Sequence, residues 1–322
     1  MPACRKRWTG FLVLEYVGAV ARRELPVVAK GARWRGGCFG FVNMWRPVAQ
    51  TELPVVAKGV RWRERCFCFV NMRRPVVMNM SGAYDLEPLM EGQEFDLVDC
   101  RDICGKEFIC SGEAQKELAL RMAEYAPEGI HLDDSGNYHY LTKLWTDRLT
   151  APFSLILIDH HTDIRREAFD GILTCGNWVR VMLESNPYLK KVIIVGPTEV
   201  QRSTIDGCYR SRVQFISEEA LLTEDGWKEF SKVHLKEPVY ISIDKDVLNH
   251  DSAITDWDQG NICLDHLKRL LDIIFRNERV IGMDICGEYS EAHDLIKAQE
   301  AGLLNEHTNV EILEEVKEEG LS

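Results

Sequence analysis

Asp159, His161 and Asp163 alternate along the segment Asp159-His160-His161-Thr162-Asp163, and all three carry metal-binding side chains. In extended or loosely turned backbone, alternate side chains share a face. The segment follows the apolar run Phe153-Ser154-Leu155-Ile156-Leu157-Ile158, which reads as a buried strand. Three donors would then converge at a strand end, where open α/β sheets place their sites. A second cluster, Ser242-Ile243-Asp244-Lys245-Asp246, follows Val239-Tyr240-Ile241. Two strand ends with alternating acids point to one polynuclear metal site. Carboxylates mixed with imidazoles suit Mn²⁺, Fe²⁺ or Zn²⁺, and the carboxylate excess favours Mn²⁺. Two ions about 3.5–4 Å apart can share a water and lower its pKa, giving hydroxide at neutral pH. Several carboxylates would balance their charge. His160 should point away from this cluster into a structural role, and Lys245 should face the other side of its strand.

The elements that must position these residues alternate. Phe95 to Val98 is a short strand. Ser111 can cap a helix running through Ala114 to Tyr125, stopped by Pro127. Gly129 to Leu132 looks extended and Tyr138 to Thr146 helical. Val192 to Gly196 and Val213 to Ile216 are further strands, and Ser217 caps a helix opening on Glu218-Glu219. Leu264 to Phe275 is an amphipathic helix, and Val280 to Ile285 closes the sheet. Val310 to Glu319 reads as an acidic, solvated surface helix. Such alternation implies a mostly parallel sheet with helices on both faces.

The 322-residue chain carries a formal charge of −12, unevenly spread. Residues 1–80 hold 15 Lys and Arg against four acids, a net of +11, so the remainder carries −23. Within them Glu24 to Gly31 recurs as Glu52 to Gly59, and the likeness continues at a period of 28 residues through Phe41 to Met44 and Phe69 to Met72. Two copies without helical or strand periodicity do not make a solenoid. We read residues 1–80 as a poorly ordered duplicated extension, or an artefact of the gene's assigned start with Met78 or Met80 opening the real protein. Residues 81–322 form the metal-binding domain. A basic arm touching nucleic acid or membrane is the competing view of the extension. We expect neither partner, because the body is acidic and no stretch approaches the roughly 18 apolar residues of a membrane span. Eleven cysteines without paired spacing suggest free thiols, Cys100, Cys175 and Cys286 among them, in a reducing cytoplasm.

The body resembles the ureohydrolase superfamily, which includes arginase, agmatinase and formimidoylglutamase. That family carries Gly-Gly-Asp-His, Asp-Ala-His-x-Asp and Ser-x-Asp-x-Asp in order. Asp159 to Asp163 matches the second and Ser242 to Asp246 the third, while Gly136-Asn137-Tyr138-His139 keeps the glycine and histidine of the first. The resemblance covers about residues 95–290. It implies a three-layer α/β/α sandwich and two Mn²⁺ per chain, one held by His139, Asp159, Asp163 and Asp244, the other by Asp159, His161, Asp244 and Asp246. Asp159 and Asp244 would bridge. It implies a hydrolase of C–N bonds other than peptide bonds, in which metal-bridging hydroxide attacks a linear amidine or guanidine, with Asp163 and Glu288 in the catalytic machinery. The implied partner is a small guanidino or amidino substrate, and relatives that assemble as trimers or hexamers suggest a homo-oligomer.

Three segments depart from the family pattern. Val179 stands where Gly-Asn-x-His would place a proton-shuttling histidine, in Gly176-Asn177-Trp178-Val179, leaving Asn177 as a candidate substrate contact. In Asp284-Ile285-Cys286-Gly287-Glu288, the glutamate that would meet a substrate guanidinium falls one position late. Asn249-His250 replaces the Asp-Pro after the third motif. The loop Thr255 to Gly260 could line the pocket, with Trp257 stacking on a planar cation and Asp256 or Asp258 pairing with it. The alternatives are a deacetylase-like amide hydrolase, normally with one Zn²⁺, or a metal-binding protein without catalysis.

Overall fold

The computed structural model describes residues 74–87, 94–166, 171–203, 205–291 and 293–320. The duplicated segment of residues 1–73, and the expectation that it lacks order, lie outside them. The strands are β1 Val76–Asn79, β2 Asp96–Asp99, β3 Ile109–Cys110, β4 Ile130–Leu132, β5 Phe153–Ile158, β6 Leu173–Thr174, β7 Leu189–Val195, β8 Val213–Ile216, β9 Val239–Asp244 and β10 Val280–Cys286. The helices are α1 Gly112–Met122, α2 Leu141–Thr146, α3 Trp178–Ser185, α4 Glu199–Arg202, α5 Glu218–Leu221, α6 Glu224–Phe230, α7 Leu264–Asn277 and α8 Leu295–Gly320. Eight strands form one parallel sheet in the order β2-β1-β4-β10-β9-β5-β7-β8, and β3 pairs antiparallel with β6.

Buried parallel strands carry apolar residues on both faces. On β5, Leu155 and Leu157 join Leu118, Met122, Trp145, Trp178 and Met182 of α1, α2 and α3. Ile156 and Ile158 point the other way, to Leu221, Trp227, Leu267, Leu271 and Leu313 of α5, α6, α7 and α8. Two cores thus sandwich one sheet, as the α/β/α expectation requires. Ser111 and Ser217 act as helix caps, accepting from the amides of Ala114 and Ala220.

Three expectations need correction. β10 comes last among the strands but lies centrally, hydrogen-bonded to β4 on one side and β9 on the other. β1 is also interior, between β2 and β4 with Val77 and Met78 fully buried, so among the described residues the sheet begins at Val76 and a start at Met78 or Met80 would cut into it. The acidic tail is not merely solvated: α8 starts at Leu295, buries Ile312, Leu313 and Val316, and anchors Glu311 to Lys268 of α7 at 2.7 Å. Glu311 and Glu315 face Lys268 of α7, while Glu314 is exposed.

Candidate metal centre

The four central strands β4, β10, β9 and β5 run parallel, so their C-terminal ends open on one edge of the sheet. Every metal-type residue of the three motifs leaves from that edge. After β4, Ser135 accepts from the Asn137 amide and starts a 3₁₀ turn, Gly136–Tyr138, that ends on His139. The turn needs Gly136, since a Cβ there would lie 2.8 Å from Asp244 Oδ2 and 3.1 Å from Trp257 Cδ1. This gives the surviving glycine of the altered first motif a physical reason.

His139 Nδ1 lies 3.1 Å from Asp163 Oδ2, 3.3 Å from Asp159 Oδ2 and 3.5 Å from Asp244 Oδ2. Its Nε2 is 2.9 Å from Ser242 Oγ, and that hydroxyl donates to Asp284 Oδ1 at 2.7 Å. This relay fixes the ring with Nδ1 toward the acids, the usual outer support of an imidazole ligand. His161 Nδ1 lies 2.8 Å from Asp246 Oδ2 and 3.6 Å from Asp159 Oδ1, and its Nε2 is 3.2 Å from Asp258 Oδ1. Asp163 takes a left-handed φ of 48° and accepts from Trp178 Nε1 at 2.6 Å. His139, Asp159 and Asp163 form one group whose ligand atoms lie within 4.8 Å of one another, and Asp159, His161 and Asp246 form another. Both triplets, and Asp244 beside them, are gathered as the sequence motifs suggest.

The electrostatics call for cations. Burial, then the like charges of Asp159 and Asp244, pushes the Asp246 carboxyl well above its ordinary range. Burial and the Asp159 charge raise Asp163, and they lift Asp244 to about 6. Burial also opposes charge on His161, yet hydrogen bonds to Asp159 and Asp246 win and push it up to about 12. Burial likewise raises Asp159, but the His139 and His161 rings outweigh it and leave its carboxyl lowered. Asp159 Oδ2 is buried with no hydrogen-bond partner. Four buried carboxylates, two imidazoles and one unpartnered oxygen aimed among them fit a site for divalent ions. Burying such charges uncompensated costs several kcal/mol each.

A cavity of about 230 Å³ opens above the cluster, lined by His139, Asp159, His161, Asp163, Asp244 and Asp246 at its floor. Phe108, Ile109, Trp257, Cys175 and Arg165 contribute to its walls. Trp257 lies on the wall as expected, held by a 2.9 Å hydrogen bond from Nε1 to Asn137 Oδ1. Asp258 is mostly exposed and reaches the site through His161. Asp256 is tied to Ser135 and Ser290. His160 turns away from the cavity, toward Glu218 and Asp258.

Three candidates are not on the cavity wall: Asp258, which touches His161 from outside it, Asn177 and Glu288. Asn177 accepts from the Thr174 amide and donates to Ile172 O, holding its own loop. Glu288 faces the opposite side of the sheet edge, where it is buried against Lys245 Nζ and accepts from Asn309 Nδ2 of α8 at 2.9 Å. Gly287 causes the diversion. Its φ of +94° turns the chain, and a Cβ there would come within 2.5 Å of Asp244 Oδ1, so no carboxylate side chain fits at the position the family pattern reserves for one. Val179 is fully buried in the core and faces no solvent. One residue at the site carries no motif in the sequence. Cys286 Sγ lies 3.3 Å from Asp244 Oδ2, and His139, Asp244 and Cys286 form a third group within 4.8 Å. Its only signal in the sequence is its place beside Asp284, at the end of a strand running parallel to β9.

Comparison with known proteins agrees with this architecture. An uncharacterized protein of Thermotoga maritima is 29% identical over 229 residues, covering 71% of this chain and 85% of that protein. Agmatine ureohydrolase of Thermoplasma volcanium shares the fold at a TM-score of 0.53 and 16% identity, over 78% of this chain and 93% of the other. Formimidoylglutamase of Bacillus subtilis does so at 0.50 and 15%, over 80% and 96%. A triple mutant of a T. brucei arginase-like protein, bound with Mn²⁺, does so at 0.50 and 16%, over 78% and 90%. Among the described residues no helix is long and apolar enough to cross a membrane. The model of the arginase family matches residues 138–298, half of the chain, including His139 and the ends of β5 and β9 that carry the acids, and the chain belongs to that family.

Proposed function

We propose that this protein is a binuclear metallohydrolase that cleaves a C–N bond of a linear amidine or guanidine bearing an anionic end. The observation that carries this reading is the meeting of His139, Asp159, His161, Asp163, Asp244 and Asp246 at the floor of one cavity. His139 and Asp163 would hold one ion, His161 and Asp246 the other, with Asp159 and Asp244 shared. When bound, two such ions supply a water of lowered pKa as a nucleophile at neutral pH. The chain's own groups hold and orient. The Ser242–Asp284 relay fixes His139, and Asp258 fixes His161. Trp257 offers a flat wall against which a planar amidinium can stack. The cation of agmatine or arginine would find no Glu288 on this wall. It would meet Arg165, a like charge. A substrate such as formimidoylglutamate, with carboxylates to offer, suits that wall better.

Val179 and the diverted Glu288 favour a second reading, a centre that binds metal without turning over these substrates. A screen of metal-loaded protein against formimidoylglutamate, guanidinobutyrate, arginine and agmatine separates the two. Release of formamide or urea, fastest from the acidic substrates, supports hydrolysis. Full metal occupancy with no release from any of them would overturn it.

A further inference from the structure

We propose that Cys286 is a metal ligand of this centre, giving one ion position a mixed nitrogen, oxygen and sulfur donor set that takes Zn²⁺, Fe²⁺ or Co²⁺ ahead of Mn²⁺. The proposal rests on the metal centre described above and is separable from the hydrolytic reading. Cys286 ends β10 directly opposite Asp244, its register partner on β9. It is fully buried, its Sγ lies 3.3 Å from Asp244 Oδ2, and that sulfur, a His139 nitrogen and an Asp244 oxygen all fall within 4.8 Å of one another. It is not on the cavity wall. The sulfur therefore approaches from beneath the acids and leaves the open side for substrate.

A buried cysteine is ordinarily a small hydrophobe with a weak S–H donor. Its neighbour Ile285 has that kind of place, packed in the core with Ile243 and Met283. Cys286 instead meets a carboxylate that the motifs assign to both ions. An ion seated between His139 and Asp244 would displace the thiol proton to solvent. Thiolate sulfur selects Zn²⁺ and iron, and Mn²⁺ stands lowest in the general affinity order of divalent ions. The Mn²⁺ preference implied by the family resemblance would then shift in this chain.

The test loads the full-length, metal-free protein with Co²⁺ alone and records its near-ultraviolet spectrum. Thiolate ligation produces an intense sulfur-to-cobalt charge-transfer band that nitrogen and oxygen donors do not. The wild type should show the band. Cys286→Ser should bind cobalt, keep the wild-type circular dichroism and lack the band, whereas Cys175→Ser on the cavity wall should retain it. Competition between Zn²⁺ and Mn²⁺ should move at least about tenfold toward Mn²⁺ in Cys286→Ser, the low end of what losing even an outer partner of a ligand does to affinity. Should Cys286→Ser fold poorly, the spectrum of Cys175→Ser decides, since a band that survives there comes from a thiol other than the one on the cavity wall. Cobalt bound without the band, or a band and preference unchanged in Cys286→Ser, overturns the proposal. Failure of the wild type to bind cobalt overturns both it and the metal centre.

Discussion

The floor and the walls of the cavity have diverged to different degrees. The floor gathers five of the six donors in two groups that share Asp159, with Asp244 beside them against His139, each carried from the end of a central parallel strand. The walls have lost the features that a guanidinium substrate would be expected to use. Val179 is sealed in the core, Glu288 is turned under the sheet edge by Gly287, and the remaining charged side chain on the wall is Arg165. The floor is constrained by charge, because removing one donor leaves several buried carboxylates uncompensated. The walls face open space, where a residue can change sign without unfolding anything. A fold of this kind can therefore keep its metal chemistry while exchanging its substrate.

Four measurements set the floor against the walls. Lys245→Met should act on the floor from below. Lys245 and Glu288 are both fully buried, and Lys245 sits between Asp244 and Asp246. Leaving Glu288 unpaired should destabilise the protein by about 3–5 kcal/mol, read by denaturant unfolding. A loss below about 1 kcal/mol would mean the pair does not brace the site.

Metal affinity should fall as pH drops anywhere below about 12, because His161 must shed a proton to bind an ion, and more steeply below about 6. The Asp244 carboxyl titrates near 6 in the metal-free fold against an ordinary 3.8, so below that pH a proton must leave before the ion can bind. The sign is that of a raised carboxylate: its charged form is disfavoured without the ion and becomes increasingly available as pH rises through about 6. Asp163 and Asp246, raised by burial and neighbouring charge, add in the same direction. Affinity should drop roughly tenfold per pH unit for each proton displaced. Affinity flat between pH 5 and 8 would contradict this.

On the wall, Arg165→Gln should raise KM for formimidoylglutamate about tenfold with little change in kcat, because a charge-assisted hydrogen bond that holds ground and transition states equally is uniform binding. The same change should improve or leave unchanged the KM for agmatine. Equal losses on both substrates would remove the charge argument. Asp258→Asn should have the smallest effect, a few-fold loss of metal affinity, since Asp258 is 78% exposed and its pairing with His161 is screened by solvent.

Local chemistry made much of this readable from sequence. The Ser111 and Ser217 caps, the apolar runs of β5 and β9, and the alternating acids after them depend on residues close in the chain. What failed to show was non-local. β10 pairs centrally through hydrogen bonds to strands far away in sequence, which no periodicity announces. The burial of Ile312, Leu313 and Val316 was hidden among the acids of α8. The boundary set at residue 81 left β1 outside the domain, because the change in charge composition falls after the first strand. Glu288 faced the wrong way because one left-handed glycine changes the direction of everything after it. Cys286 looked like an ordinary buried thiol until Asp244 appeared across the sheet.

The claim on which the rest depends is that these six side chains hold ions together. Elemental analysis of purified wild-type protein and of Asp244→Ala, both dialysed after loading with Mn²⁺ or Zn²⁺, measures it directly. The wild type should retain close to two divalent ions per chain, and Asp244→Ala, deprived of the shared carboxylate, should retain almost none. A wild type that keeps no ion, or a variant that keeps as much as the wild type, would contradict the assignment of this centre.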